Sequence, residues 1–226
     1  MEAKAATGSV EHVTQVWDLP LRLFHWSLVL LFTSQVVTAW IGGNALEYHA
    51  LGGYAILALV LFRILWGFLG GTHARFTDFV RGPVTVLAYA KSLSAKPAAA
   101  WRGHNPLGGW SVLAMLASLL VQASTGLFAN DDVMMEGPLV RHVPGRFSEI
   151  ATAIHDVNAI ILLTLVSLHL LAVLFYLFGK KQNLIAPMIT GGKPADGSKN
   201  AAGGGTGLAA LLLAGAAVAV YLVVTF

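Results

Sequence analysis

Two histidines, His155 and His169, lie fourteen residues apart in the apolar segment 154–178, which is long enough to cross a bilayer. At ~3.6 residues per turn, this spacing makes almost four turns, so both imidazoles lie on one face of the helix. At ~1.5 Å per residue they are ~21 Å apart along the axis, one near each edge of the membrane. Ionisable residues inside membrane helices are costly and usually functional. The pair therefore predicts two ligand-binding levels, each completed by a side chain from another helix.

The composition identifies an integral membrane protein. Of 226 residues, 56% are hydrophobic and 11% are charged, with a mean hydropathy of +0.70, whereas soluble domains average about 25% charged residues. The net charge of +3 reflects loop asymmetry, and no nucleic-acid partner is expected. The chain has no cysteine, which excludes c-type haem attachment, thiolate-bound iron–sulfur clusters and disulfides. Residues 1–19 have no apolar core of the signal-peptide type, so no cleaved leader is expected.

Hydropathy predicts an all-α fold, a transmembrane four-helix bundle followed by a fifth C-terminal transmembrane helix. The predicted spans are residues 21–41, 48–69, 110–129, 154–178 and 208–226. A further amphipathic helix is predicted on the membrane surface over 83–94, and Asp18 is expected to cap the first span. The predicted domains are a cytoplasmic lead-in over 1–19, the four-helix domain over 20–181, a flexible linker over 182–207 and the fifth helix over 208–226.

The distribution of lysine and arginine sets the expected orientation, since cytoplasmic loops carry the excess of positive charge. Only Arg141 and Arg146 fall on one side of the predicted membrane. The other side carries Lys4, Arg22, Arg75, Arg81, Lys91, Lys96, Arg102, Lys180, Lys181, Lys193 and Lys199. The amino terminus is therefore predicted to be cytoplasmic and the carboxyl terminus to lie outside, on the opposite face of the membrane.

This orientation pairs four histidines by depth. His25 in the first span lies at the cytoplasmic level of His169, and His49 in the second span lies at the periplasmic level of His155. Two axial histidines from facing helices can ligate one haem iron in a bundle core. The pattern predicts two b-type haems, one above the other, as a path for electrons. The alternative is a histidine-lined metal or proton path, which the scarcity of carboxylates in the spans disfavours.

Other polar residues accompany these pairs. Arg63 follows His49 by fourteen residues and is expected to bind a propionate of the inner haem, or else to snorkel to the surface. His104 is expected either to serve a quinone site or to bond to backbone or a propionate. Asp156 and Asn158 flank His155 and are candidates for orienting its imidazole, although Asp156 equally suits a helix start. His12, His73 and His142 are expected to be surface residues.

The sequence resembles the bacterial cytochrome b(561) and nickel–iron hydrogenase b-type cytochrome subunit family of membrane dihaem proteins. The resemblance covers about residues 16–181. The segments that carry it are VWDLPLRLFHW at 16–26, EYH at 47–49, RILWG at 63–67, FVRGP at 79–83, GHNP at 103–106 and the His155/His169 pair. It implies a four-helix core with two bis-histidine b-type haems on His25, His49, His155 and His169. It also implies electron transfer between the quinone pool and a redox partner at the periplasmic face, such as a hydrogenase, a cytochrome c or another dehydrogenase.

Three functions follow as hypotheses. The first is an electron-transfer subunit of a quinone-linked oxidoreductase in a respiratory chain, rather than a stand-alone enzyme. The second is a self-sufficient oxidoreductase that uses superoxide or ferric iron at the outer haem, with quinone as its other substrate. The third is a non-redox scaffold or metal transporter.

The fifth span either recruits a partner or is a plain membrane anchor. It carries small residues at Ala210, Ala214, Gly215 and Ala219, a pattern that permits close helix contact and hence a hetero- or homo-oligomer within the lipid.

Overall fold

The computed structural model describes residues 13–93, 101–133, 135–194 and 200–226. Lys4, His12, Lys96 and Lys199, which entered the predictions of orientation and surface exposure, lie outside the described residues. The elements in chain order are β1 (Val13–Gln15), α1 (Leu19–Ile41), α2 (Ala45–Leu69), α3 (Phe76–Phe79), α4 (Pro83–Ser92), α5 (Pro106–Gly126), α6 (Gly145–Leu174), α7 (Ile185–Thr190), β2 (Gly192–Pro194) and α8 (Thr206–Thr225). Short 3₁₀ turns occur at Thr72–Ala74 and Val140–His142, and a π-helical turn over Phe175–Gly179 extends α6.

In the described part of the chain, five helices are long and apolar enough to cross a membrane: α1, α2, α5, α6 with its π-helical turn, and α8. This confirms the predicted all-α membrane fold. All five helices begin before the predicted spans, most of all α5 and α6, because hydropathy marks the hydrocarbon-spanning part and misses the first turns. Helix α6 begins at Gly145, so Arg146 and Glu149 belong to it. Helix α5 begins at Pro106, where the Asn105 side chain accepts a hydrogen bond from the Gly108 amide at 2.7 Å.

Helix α2 is the centre of the bundle. It packs against α1, α5 and α8, while α6 packs closely on α5 and contacts α1 and α2 sparsely at most. At mid-depth, Ile56 and Val60 of α2, Leu119 of α5 and Leu162 of α6 form a buried apolar cluster. The bundle is therefore closed by side chains at mid-depth.

The end of the bundle where α1 begins and α6 ends is called the inner end, after the predicted orientation, and the opposite end is called the outer end. At the inner end, β1 pairs antiparallel with β2. The Gly191 carbonyl accepts hydrogen bonds from the amides of Val16 at 2.8 Å and Trp17 at 2.9 Å. Helix α7 is fastened to α1 by the Trp26 indole, which donates to the Met188 carbonyl at 3.1 Å. Part of the range predicted as a flexible linker is thus ordered structure.

Asp18 joins the first residues of the bundle to its last helix. One carboxylate oxygen accepts the predicted capping bond from the Leu21 amide at 2.9 Å. The other accepts from the Trp66 indole at 3.3 Å, the Gly71 amide at 3.2 Å and the Gly204 amide at 3.4 Å. Four separate segments therefore meet on one side chain.

We expect Asp18→Ala to lower the free energy of unfolding by at least ~2 kcal/mol, because it removes a cap and leaves the Trp66 indole buried without an acceptor. Trp66 is 0% exposed. Thermal unfolding in detergent measures the change. Glu149→Ala, at an exposed carboxylate on α6, is the control, and an equal loss there would contradict the assignment.

Helix α8 packs on α2 with a face different from the predicted small-residue stripe. Its buried residues are Ala209, Ala216 and Val220. Ala210, Ala214, Gly215 and Ala219 are exposed on the protein surface. The fifth helix is therefore part of the folded bundle, and its small-residue stripe remains free for lipid or another helix.

Candidate functional site

The four predicted histidines come from three helices: His25 from α1, His49 from α2, and His155 and His169 from α6. All four are half-buried. They lie above and below the apolar layer, since Ile56 follows His49 by seven residues and Leu162 lies seven residues from both His155 and His169. The histidines therefore line two separate levels.

The outer pair is formed by His49 and His155. Their ring centroids are 6.3 Å apart and their planes are inclined by 73°. Two metal–nitrogen bonds of ~2.0–2.1 Å, plus ~1.2 Å from each nitrogen to its ring centroid, give a separation of ~6.4 Å. The observed spacing therefore suits one metal centre held between the two imidazoles.

Both outer histidines have their Nδ1 atoms engaged by neighbouring helices. His49 Nδ1 lies 3.2 Å from the Gln35 carbonyl oxygen on α1, and His155 Nδ1 lies 3.0 Å from the Gln122 carbonyl oxygen on α5. A carbonyl oxygen only accepts, so each Nδ1 carries the hydrogen and donates it. Each Nε2 is then the ring nitrogen with a free lone pair, the form in which histidine binds a metal.

The sequence analysis did not predict the contacts of these two histidines with glutamine and threonine residues. Thr38 Oγ1 is 3.4 Å from His49 Nδ1, and Thr125 Oγ1 is 3.3 Å from His155 Nδ1. Each histidine thus meets a glutamine followed three residues later by a threonine. The repeated Gln-x-x-Thr at Gln35 and Gln122, inside two apolar spans, is the signal that could have found them.

The inner pair is formed by His25 and His169, which lie close enough to interact electrostatically. His25 Nδ1 is buried and has no hydrogen-bond partner among the described residues. A pair of imidazoles is also incomplete as a metal shell. No cluster of three or more histidine or carboxylate side chains that could hold a metal ion occurs in the described ranges. Two-imidazole levels therefore suit a metal whose remaining ligands come from a macrocycle, as in haem.

Arg63 is buried beside the inner level. Its side chain is 1% exposed, and neither Nη1 nor Nη2 has a hydrogen-bond partner in the part of the chain that is described. The guanidinium lies 5.3 Å from the centroid of the Phe76 ring and 5.9 Å from that of Phe79. Asp18 interacts with it only through space. A buried guanidinium with unused donors fits an anionic oxygen ligand such as a haem propionate.

His104 lies in an aromatic cage just before α5. Its ring centroid is 4.8 Å from that of Trp17 and 4.7 Å from that of Phe79, and its Nδ1 is buried without a partner in the described structure. Burial, together with the nearby positive charge of Arg63, lowers the pKa of His104 to about 3. His104 is therefore neutral at physiological pH and acts as a hydrogen-bonding group.

Two buried tyrosines beside this region were not predicted. The hydroxyl of Tyr89 on α4 lies 2.5 Å from that of Tyr176 in the π-helical turn, and each residue is 7% exposed. The Asn105 amide donates to Tyr176 at 3.2 Å. Burial and the bond to Tyr176 raise the pKa of Tyr89. The hydroxyl pair therefore lies next to the His104 loop, with one hydroxyl donating to the other.

Among the remaining predicted residues, Asn158 is buried and hydrogen-bonded between α5 and α6. Asp156 is exposed. His142 is exposed, whereas His73 is half-buried and its Nδ1 lies 2.7 Å from the Asp78 carboxylate.

Known proteins are similar to this chain over the region that contains the four histidines. A sequence model described as prokaryotic cytochrome b561 matches residues 16–191, which include all four histidines, Arg63 and His104. The chain is 32% identical over 134 residues to a probable Ni/Fe-hydrogenase B-type cytochrome subunit of Azotobacter vinelandii, covering 48% of this chain and 54% of that protein. It is 32% identical over 119 residues to a protein of the same description from Azotobacter chroococcum mcd 1, covering 41% and 49%. The chain thus spans about half the length of these relatives. No solved structure matches the chain.

Proposed function

Because the chain belongs to the prokaryotic cytochrome b561 family, and is thus a multi-pass membrane cytochrome of b type that serves electron transfer, we propose that it holds two haems at different depths. In this proposal, it carries electrons between the quinone pool and a redox partner at the periplasmic face of the inner membrane. The observation that carries the proposal is the outer pair, where the 6.3 Å ring separation and the two engaged Nδ1 atoms suit bis-histidine ligation.

The chain's own residues would bind and orient each group. His49 and His155 would provide the axial nitrogens of the outer haem, and His25 and His169 those of the inner haem. A bound haem supplies one-electron exchange, and the protein supplies ligands, spacing and a dry surrounding of low dielectric. The apolar layer of Ile56, Val60, Leu119 and Leu162 keeps water out of the space between the two levels.

Arg63 would bind a propionate carboxylate of the inner haem. Two other buried donors at the inner end, Arg22 Nε and Trp101 Nε1, lack partners in the described residues, as do the Nδ1 atoms of His104 and His25. A haem brings propionate oxygens, which are acceptors only, to a region that has an excess of donors. The donors of Arg63, Arg22 and Trp101 support the inner site independently of the histidines.

The inner end also suits a quinone. A quinone needs hydrogen-bond donors at its carbonyl oxygens, and His104, Tyr89 and Tyr176 offer hydrogen-bonding groups near the predicted inner membrane surface. Since the pKa of His104 is lowered to about 3, it would donate or accept a hydrogen bond rather than store a proton, which argues against the role in proton uptake predicted from its usual titration range.

A hydrogenase is the first partner to test, because both relatives are described as probable subunits of Ni/Fe-hydrogenase. In the predicted orientation the partner docks at the outer end, next to His49 and His155. The experiment that tests the function is the visible spectrum of the purified protein with a pyridine haemochrome count. We expect b-type bands and about two haems per chain, and a single haem or a colourless protein would overturn the two-haem conduit.

A further inference from the structure

We propose that Asn158, Gln122 and Ser118 form a positioning network that fixes the orientation of the His155 imidazole. The inference rests on the two-haem function proposed above and concerns only the outer level. The three residues would act through His155 and not as ligands.

Asn158 forms the centre of the network through three hydrogen bonds. Asn158 Oδ1 accepts from the Ser118 hydroxyl at 3.0 Å, while Asn158 Nδ2 donates to the Ser118 carbonyl at 2.9 Å and to Gln122 Oε1 at 2.7 Å. Ser118 is 7% and Asn158 8% exposed. In a membrane interior such bonds have no competing water, so the side chains are held in one arrangement.

The network connects α6, the helix that bears His155, to Gln122, the residue whose carbonyl accepts the hydrogen of the His155 ring. Asn158 follows His155 by three residues on α6, and it binds the side chain of Gln122 on α5. The main-chain carbonyl of the same Gln122 accepts the hydrogen of His155 Nδ1 at 3.0 Å. Rotation of the imidazole about its axis would break this bond, so fixing Gln122 and α6 together fixes the ring plane.

Within the described residues, the other outer ligand, His49, has no equivalent network. His49 donates to the Gln35 carbonyl, but the Gln35 side-chain amide nitrogen is buried without a partner in the described part of the chain. A Cβ atom at Gly52 would lie 2.2 Å from that nitrogen, so Gly52 leaves the space in which it sits. His155 is therefore the braced ligand, and the 73° between the two rings depends on its being held.

Electron paramagnetic resonance of the oxidised holoprotein tests the proposal. Nearly perpendicular axial imidazoles give a strongly anisotropic low-spin ferric signal, and the largest g value falls as the planes turn toward parallel. We expect such an anisotropic signal from the outer haem. In Asn158→Leu we expect its largest g value to fall, with the inner haem signal unchanged.

Matched variants separate positioning from a loss of packing. Gln122→Leu should move the same signal, and the double variant with Asn158→Leu should move it no further, because both act through one contact. Val157→Ala, at a neighbouring side chain that is 60% exposed, should change nothing. Ser118→Ala removes one hydroxyl and should lower the largest g value of the outer haem by less. If Asn158→Leu does not fold or bind haem, this smaller shift tests the network in its place.

An outer signal that stays unchanged in Asn158→Leu and Ser118→Ala would overturn the network, as would equal shifts in both haem signals. Failure of the two-haem function would look different, because the wild-type protein itself would then lack a second low-spin signal.

Discussion

Replacing His49 or His155 with alanine abolishes the low-spin signature of one haem, the same haem in both variants, and leaves the other intact. Replacing His25 or His169 abolishes that of the second haem. Each level offers one imidazole on either side, so a haem held there would lose one of its two protein ligands. The expected loss at the affected level is complete, because no group of three or more side chains that could hold a metal ion occurs within the described residues.

The pairing is measured by redox titration of the visible spectrum, which resolves the two haems by their midpoint potentials. The double variant His49→Ala/His155→Ala should match either single variant, whereas His49→Ala/His169→Ala should lose both signatures. His142→Ala is the control, because this histidine is exposed in the loop before α6. If His49→Ala instead changed the haem that depends on His169, the assignment of levels would be wrong.

The sequence was sufficient for the features that follow from helical periodicity. Five spans were visible as apolar segments, and the fourteen-residue spacing of His155 and His169 placed both on one face of α6. Asp18 was recognisable as a helix cap because it precedes Pro20 and an apolar segment. These features depend on residue type and local order alone.

The contacts that orient the outer histidines could not be derived in the same way. Their acceptors are the main-chain carbonyls of Gln35 and Gln122, and every residue carries such a carbonyl. Nothing in the residue types marks which one is used until the helices are placed side by side. The Gln-x-x-Thr repeat is a hint only when the histidine positions are already known.

The face of α8 that packs on α2 could not be predicted from the sequence either, for a different reason. The helix is apolar on all sides, so its periodicity does not distinguish a buried face from one that meets lipid. The side chains of α2 decide the matter. Ala209 and Ala216 fit beside Phe62 and Trp66, and Val220 packs in the cluster that contains Leu57 and Ala58.

Arg63→Met should lower the midpoint potential of the inner haem and weaken its binding by ~10–100-fold, the range found for residues that support a metal site from outside its ligands. Reduction adds one electron, so a buried positive charge nearby stabilises the reduced form, and its removal shifts the balance to the oxidised form. Arg63 is 1% exposed and its Nη1 and Nη2 have no partner among the described residues. Neither solvent nor another side chain therefore compensates for the change.

Redox titration measures the potential, and titration of the apoprotein with haem measures the affinity. Arg63→Lys keeps the charge but loses the planar fork, so it should retain most of the potential and less of the affinity. Arg75→Met, at an exposed arginine of the inner end, is the control. An equal fall in both haem potentials would mean that Arg63 acts on the whole bundle and not on the inner level.

The sign of the stability change provides an independent check on the role of Arg63. Without haem, its guanidinium is a buried charge that lacks a hydrogen-bonded counter-ion, so Arg63→Met should raise the unfolding temperature of the apoprotein. With haem bound, the same substitution removes the partner of a propionate and should lower the unfolding temperature. A merely structural arginine would change both forms in the same direction, so the reversal on loading haem is specific to an arginine that holds the cofactor.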